Sequence, residues 1–211
     1  MLRIDLYTEL TCPWCLVGMH RLDKVLAQRF PGLAVDIRHH PVLLMPEAPA
    51  TGLYIPDLLR SRYGIADPKL AFARPEAEAR ASGLALDLGK QLWAYPTQAA
   101  HTLVLAAADR GTQHRLAVAI ARANFLDGRN IADADVLANI ASAHGFTGEE
   151  ALGIMRDPDW KASVEREAGK SVAAGIRSVP HFVFDGNTVL NGGRSEDEIT
   201  ACIAERNINI S

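Results

Sequence analysis

Cys12-Pro13-Trp14-Cys15 sits where one backbone period gives way to another, and that junction constrains the chain more than any other feature. Before it, Leu2, Ile4 and Leu6 alternate with Arg3, Asp5 and Tyr7, the period of a half-buried strand. After it, Leu16, Val17, His20, Leu22, Val25, Leu26 and Phe30 recur near helical spacing until Pro31-Gly32 stops them. Pro13 suits a first helical turn, because the N–H it lacks would have had no intrahelical partner there. Alternation returns over residues 33–40, with Val35 and Ile37 inward against Asp36 and Arg38. A β-α-β unit over the first 40 residues is therefore expected.

The middle of the chain reads differently. Residues 42–52 are rich in proline and small residues and suggest a linker. From there to about Gly175 the pattern is almost entirely helical. Thr97 can cap a helix running to Gly111, a second runs from about Gln113 to Asp127, and Asp133 can cap a third ending at Gly145. Thr147 with Glu150 forms a capping box, and a further helix begins near Pro158. Strand character then resumes at Val179–Phe184. Asp185-Gly186-Asn187 reads as a hairpin turn and residues 188–190 as the return strand. Ser195 with Glu198 caps a terminal helix carrying Ile199, Cys202 and Ile203 on one face.

Composition excludes several classes of partner. Across 211 residues the 22 basic and 25 acidic side chains are well mixed, for a formal charge of −3, so nothing favours nucleic acid or an anionic membrane. No apolar run approaches the roughly 20 residues that span a bilayer. The N-terminal segment lacks the apolar region of a secretory signal, so a cytoplasmic location is expected. Three cysteines are too few and too odd in number for a disulfide framework.

The dithiol carries the chemistry. Cys12 precedes a helix whose unpaired N–H groups and positive dipole end favour an anion, and only a thiolate attacks a disulfide. Cys15 falls one turn later and more enclosed, so Cys12 is expected to attack and Cys15 to resolve. Pro13 and Trp14 tune the pair, with Trp14 an apolar lip near the sulfur. Zinc would need a second ligand pair; none has the CxxC form, and His39 and His40 should point to opposite faces of a strand. Metal and inert readings are therefore set below a redox one. Ser178-Val179-Pro180-His181 holds either an edge proline or a cis proline.

Taken with Gly18, Ala100-His101, the run Phe125-Leu126-Asp127-Gly128-Arg129-Asn130-Ile131, Val136-Leu137, Gly175-Ile176 to Val183, and Gly192, the chain resembles the DsbA-like thioredoxin family, most of all its FrnE-type cytoplasmic branch. The likeness runs over nearly the whole chain. It departs at Thr102, where the family often has arginine, and at Gly192-Gly193-Arg194, where it tends toward Gly-Ala-Gln.

The resemblance implies an α/β fold. A thioredoxin-like domain (β-α-β … β-β-α, residues 1–44 and 175–211) is interrupted by a large all-helical insertion (45–174). It also implies a cis Pro180 facing the dithiol, with the Val179 backbone pairing an extended substrate and His181 beside it. The activity expected is thiol-disulfide oxidoreductase or isomerase. No cofactor is needed beyond the dithiol, with glutathione a conceivable co-substrate and protein or small-molecule thiols and disulfides as partners of a monomer or homodimer. Two other classes stay open: a glutathione-dependent transferase or isomerase of the kappa/hydroxychromene type, whose members usually carry serine at the position of Cys12, and a non-catalytic peptide-binding module.

Other residues have an ordinary and a functional reading. Glu9 is ordinarily a solvated loop carboxylate, or else a proton carrier for Cys15. His101 is a core histidine or a cleft residue, His20 a packed one, and Trp93 and Tyr95 are core aromatics or else an apolar surface on the helical block. Cys202 is a small core hydrophobe.

Overall fold

A computed structural model describes residues 1–208. Strand β1 (Leu2–Thr8) leads through a four-residue link to helix α1 (Pro13–Arg29) and then β2 (Val35–Pro41). Strands β5 (His181–Phe184) and β6 (Thr188–Asn191) close the sheet, and α9 (Glu196–Ile208) ends the described chain. The strand order is β2-β1-β5-β6, with β1 parallel to β2 and antiparallel to β5, and β5 antiparallel to β6. This is the thioredoxin-like sheet that the β-α-β … β-β-α order implied. The hairpin turns over residues 185–187, with Asp185 and Gly186 both in the left-handed region (φ 46° and 73°) and Asn187 N–H donating to the Phe184 carbonyl.

Alternation buries the expected face. Leu2, Ile4 and Leu6 of β1 and Phe182 and Phe184 of β5 lie inside, against Leu16, Met19 and Leu22 of α1. Helix α9 packs on α1 and buries Ile199, Cys202 and Ile203, so Cys202 is a core residue.

Between β2 and β5 lie α2 (Ile55–Tyr63), α3 (Pro68–Ala81), α4 (Gln98–Ala106), α5 (Gln113–Phe125), α6 (Ala134–Ser142), α7 (Gly148–Arg156) and α8 (Pro158–Ala173). The Thr147–Glu150 capping box forms with both of its bonds, as does the reciprocal Ser195–Glu198 pair before α9. Two expectations fail here. The region is not wholly helical: β3 (Leu53–Tyr54) and β4 (Trp93–Ala94) pair antiparallel across some forty residues of chain, and two-residue strands leave no alternation to read. Helix α4 also stops at Ala106 rather than Gly111, and the Thr97 side chain makes no capping bond to it.

Helices α4, α5 and α8 pack on β2, while α3 packs on α1. The α1–α3 seam is polar: His20 Nε2, the Arg21 guanidinium and Lys24 Nζ all bond Ser82 at the end of α3. His20 is accordingly half-buried on a carbonyl rather than packed in apolar surroundings. Trp93 is not a core residue; it is 42% exposed and tilts against Tyr54, while Tyr95 packs on the core.

Candidate active site

Helix α1 starts one residue after Cys12. Cys12 is the N-cap in extended conformation, Pro13 takes the first helical position, and no side chain caps the free N–H groups. Those groups face the sulfur. The Cys12 thiol is held below its ordinary value first by a hydrogen bond from the Cys15 thiol, and then by the backbone N–H groups of Cys15 and Trp14; burial opposes them without prevailing. Cys15 goes the other way: full burial pushes its thiol well up, and donating to Cys12 raises it further. Cys12 is half-buried, Cys15 is enclosed, and both are free thiols. The asymmetry expected of the pair is present in geometry and in charge.

Pro180 faces the dithiol through a cis Val179–Pro180 bond. The Cys12 thiol lies 3.9 Å from the Val179 carbonyl, and Gly192 N–H donates to the Pro180 carbonyl at 2.8 Å. The close approach depends on Gly18, where a Cβ would meet Pro180 Cγ at 2.8 Å and Phe182 Cζ at 3.1 Å. His181 stands half-buried at the start of β5, edge-on to Tyr7 with ring centroids 5.5 Å apart. Burial lowers its pKa, opposed by a bond with Asn191.

Glu9 corrects the reading of it as a solvated loop carboxylate. It is 1% exposed, beneath the dithiol. Its N–H donates to Cys15 Sγ at 3.5 Å, and its carboxylate accepts from Thr11 N–H at 3.3 Å and Leu44 N–H at 3.1 Å. His101 Nε2 lies 3.6 Å from the same carboxylate, in ion-pair range but beyond a hydrogen bond. Burial alone would push the Glu9 carboxyl up; the His101 imidazole, Leu44 N–H and the Thr97 hydroxyl outweigh it and hold it below the usual range. The Thr97 hydroxyl contributes least of the three and makes no capping bond to α4. His101 is a buried histidine and also a neighbour of the site, so its two readings merge.

Beside Cys12 opens a cleft of about 340 Å³ whose walls include Trp14, Leu44, Leu58, Leu59, Phe72 and Pro75. Trp14 is the apolar lip that was anticipated. The cleft's Arg62 is engaged by Glu47 at 2.7 Å, and Arg74 lies over the Trp14 ring. A larger hollow of about 720 Å³ beside β2 touches neither sulfur of the dithiol. His39 and His40 do point to opposite faces: His39 bonds Thr8 and His114, and His40 bonds Asp5 and stacks on Tyr7. Among the described residues no group of three or more His, Cys, Asp or Glu is placed to hold a metal ion, and no helix is long and apolar enough to cross a membrane.

One residue near the site escaped the sequence reading. Arg21 is 3% exposed and ties α1 to the loop after β6. A signal existed: Trp14, Gly18, Arg21 and Val25 share one helical stripe.

The fold that carries this site is shared with known proteins. No curated protein matches the chain at a significant level. Among solved structures, one described as a probable DsbA oxidoreductase from Streptomyces coelicolor is 27% identical, with TM-score 0.84, covering 97% of this chain and 89% of that one. The cytosolic disulfide reductase DsbM from Pseudomonas aeruginosa, solved with GSH, is 18% identical with TM-score 0.68, covering 97% and 98%. A 2-hydroxychromene-2-carboxylate isomerase is 13% identical with TM-score 0.70, covering 99% of both chains. The last two share the fold. Residues 3–204 match the family described as DSBA-like thioredoxin domain, a family of thiol-disulfide oxidoreductases and isomerases, and the chain belongs to it.

Proposed function

We propose that this protein exchanges disulfides through Cys12 and Cys15, with the Val179 backbone and Pro180 as the shelf for substrate and His181 at its edge. The observation that carries the reading is the placement of the half-buried Cys12 thiol opposite the Val179 carbonyl, with Cys15 enclosed behind it. As a reductant, the Cys12 thiolate attacks one sulfur of a substrate disulfide and expels the other as a thiolate. Cys15 then loses its proton and attacks Cys12 Sγ, which releases the second substrate thiolate and leaves a Cys12–Cys15 disulfide. Two electrons have passed to the substrate. The reverse sequence oxidises a dithiol, and stopping at the mixed disulfide permits isomerisation.

Glu9 is the base for the Cys15 proton in this scheme, supported by its burial beneath Cys15 and its proximity to His101. Glutathione or another small thiol restores the starting redox state, and no further cofactor takes part. The FrnE-type branch and a cytoplasmic setting belong to the same proposal, as does the division into a thioredoxin-like unit (1–44 and 175–211) and an insertion (45–174).

Alkylation of the reduced chain at pH 6, located by mass spectrometry, tests the assignment. Cys12 should react much faster than Cys15 or Cys202, whose thiols burial holds up. Equal slow labelling of all three would defeat it. Replacing Cys12 by serine separates the other classes: a glutathione-dependent transferase or isomerase keeps activity, whereas disulfide exchange is abolished.

A further inference from the structure

We propose that Arg21 is a positioning residue for Cys12, holding the Gly193–Arg194 loop against the indole of Trp14 and thereby fixing the first turn of α1. The inference rests on the reading of Cys12 as the attacking sulfur.

Arginine has five N–H donors, and all five of Arg21 are engaged inside the protein. Nε donates to Ser82 Oγ at 2.7 Å. Nη1 donates to the carbonyls of Gly193 at 3.3 Å and Arg194 at 2.8 Å. Nη2 donates to the Glu78 carbonyl at 3.0 Å and to its carboxylate at 2.6 Å. One buried cation therefore pins three segments together: the middle of α1, the end of α3 and the turn leaving β6. A guanidinium with no donor to spare does not meet substrate. Its part is to fix what it holds.

What it holds bears directly on Trp14. Gly192 takes a left-handed turn at φ 80°, and the following Gly193 abuts the six-membered ring of the indole at its Cε3–Cζ3 edge, where a Cβ would fall 2.3 Å from Cε3 and 2.6 Å from Cζ3. The Arg74 guanidinium lies 5.4 Å from the Trp14 ring centre, a second contact on the same side chain. The indole is thus confined by the loop and by α3, both of which Arg21 anchors. Trp14 is also one of two residues whose backbone N–H faces the Cys12 sulfur. The indole and that N–H belong to one residue, and through it the hold on the ring reaches the turn that faces the sulfur.

The test uses the full reduced chain and three substitutions. Thiolate formation is followed by absorbance near 240 nm and by the pH profile of Cys12 alkylation; the oxidation-linked change in tryptophan fluorescence reports on Trp14. Arg21→Lys keeps the charge opposite Glu78 but has no second arm for the two loop carbonyls. Gly193→Ala leaves Arg21 intact and pushes the loop off the indole, so it reads the same link should Arg21→Met prove too unstable to study.

All three are expected to move the Cys12 titration toward the ordinary thiol value. They should also move the midpoint of the alkylation pH profile to higher pH and alter the fluorescence change. If Arg21 serves only stability, Arg21→Lys restores the wild-type titration and Gly193→Ala leaves it unmoved; that pair of results overturns the proposal. Failure of the underlying reading shows separately, in the unsubstituted chain, as label that does not fall first on Cys12, and it takes this inference down with it.

Discussion

Gly18 and Pro180 touch across 162 residues of sequence at a spacing that only glycine permits, since a Cβ on Gly18 would lie 2.8 Å from the Pro180 ring. The contact sets the depth at which β5 begins, and with it the position of the Val179 carbonyl opposite Cys12. A ring carbon is not the far end of a flexible side chain and cannot swing aside. Gly18→Ala is therefore expected to lose about 1–3 kcal/mol to overpacking, only partly offset by the roughly 1 kcal/mol that alanine gains over glycine inside a helix. Urea midpoints would measure the balance. A variant at least as stable as the parent would show that Pro180 yields.

Removing the resolving sulfur should trap the first half of the exchange. With oxidised glutathione, Cys15→Ser is expected to accumulate a stable Cys12–glutathione adduct, visible in the intact mass, while the parent passes quickly to the internal disulfide. An adduct that persists equally in both chains would remove Cys15 from the scheme.

Glu9 should leave a signature in the pH dependence of stability. Its carboxyl is held below the ordinary range, with the burial cost outweighed by His101, Leu44 and Thr97. The folded state therefore favours the ionised form. The resulting stabilisation is complete above the ordinary carboxyl value near 4.3 and is lost as pH falls through the lower folded one. Glu9→Gln removes this dependence, so its stability deficit should be largest at neutral pH and shrink on acidification. The same variant should slow release of product from the mixed disulfide more than its formation, because Cys15 loses its base. A stopped-flow assay resolving the two steps would separate them.

His39 acts in a higher window. Burial drives its pKa well down, and neighbouring His114, His101 and His40 add to the effect. Its ring bonds Thr8 and His114, its backbone is held by Gln113, and His114 in turn bonds Asp23. Because the folded pKa is the lower one, stability is complete above about 6.5, the ordinary histidine value, and falls below it at up to roughly 1.4 kcal/mol per pH unit for one proton. His39→Gln is expected to flatten the stability curve between pH 6.5 and 5 while leaving the carboxylate leg below it. An unchanged slope would assign that loss to another group.

Much of the fold was legible because its determinants are local. Leu2, Ile4 and Leu6 share a face by the geometry of a strand, Pro13 starts a helix through its own ring, and the pairs Thr147–Glu150 and Ser195–Glu198 cap helices three residues away. The dithiol at a helix start was legible for the same reason. Glu9, Thr97, Trp93 and Arg21 were not, because each is decided by partners distant in the chain. Glu9 is a buried carboxylate only because residue 44 and His101 of α4 lie against it, and the Thr97 side chain makes no capping bond to its helix. Arg21 is a buried cation only because Glu78, Ser82 and the 193–194 loop converge on it.

By itself, the sequence determined the order of elements and the sulfur pair through periodicity, caps and motif spacing, and its matched motifs carried the family resemblance. Tertiary structure alone decided which charges are buried and which partners hold them. Burying a charge is costly until partners from other segments are in place, and only the completed fold brings them there.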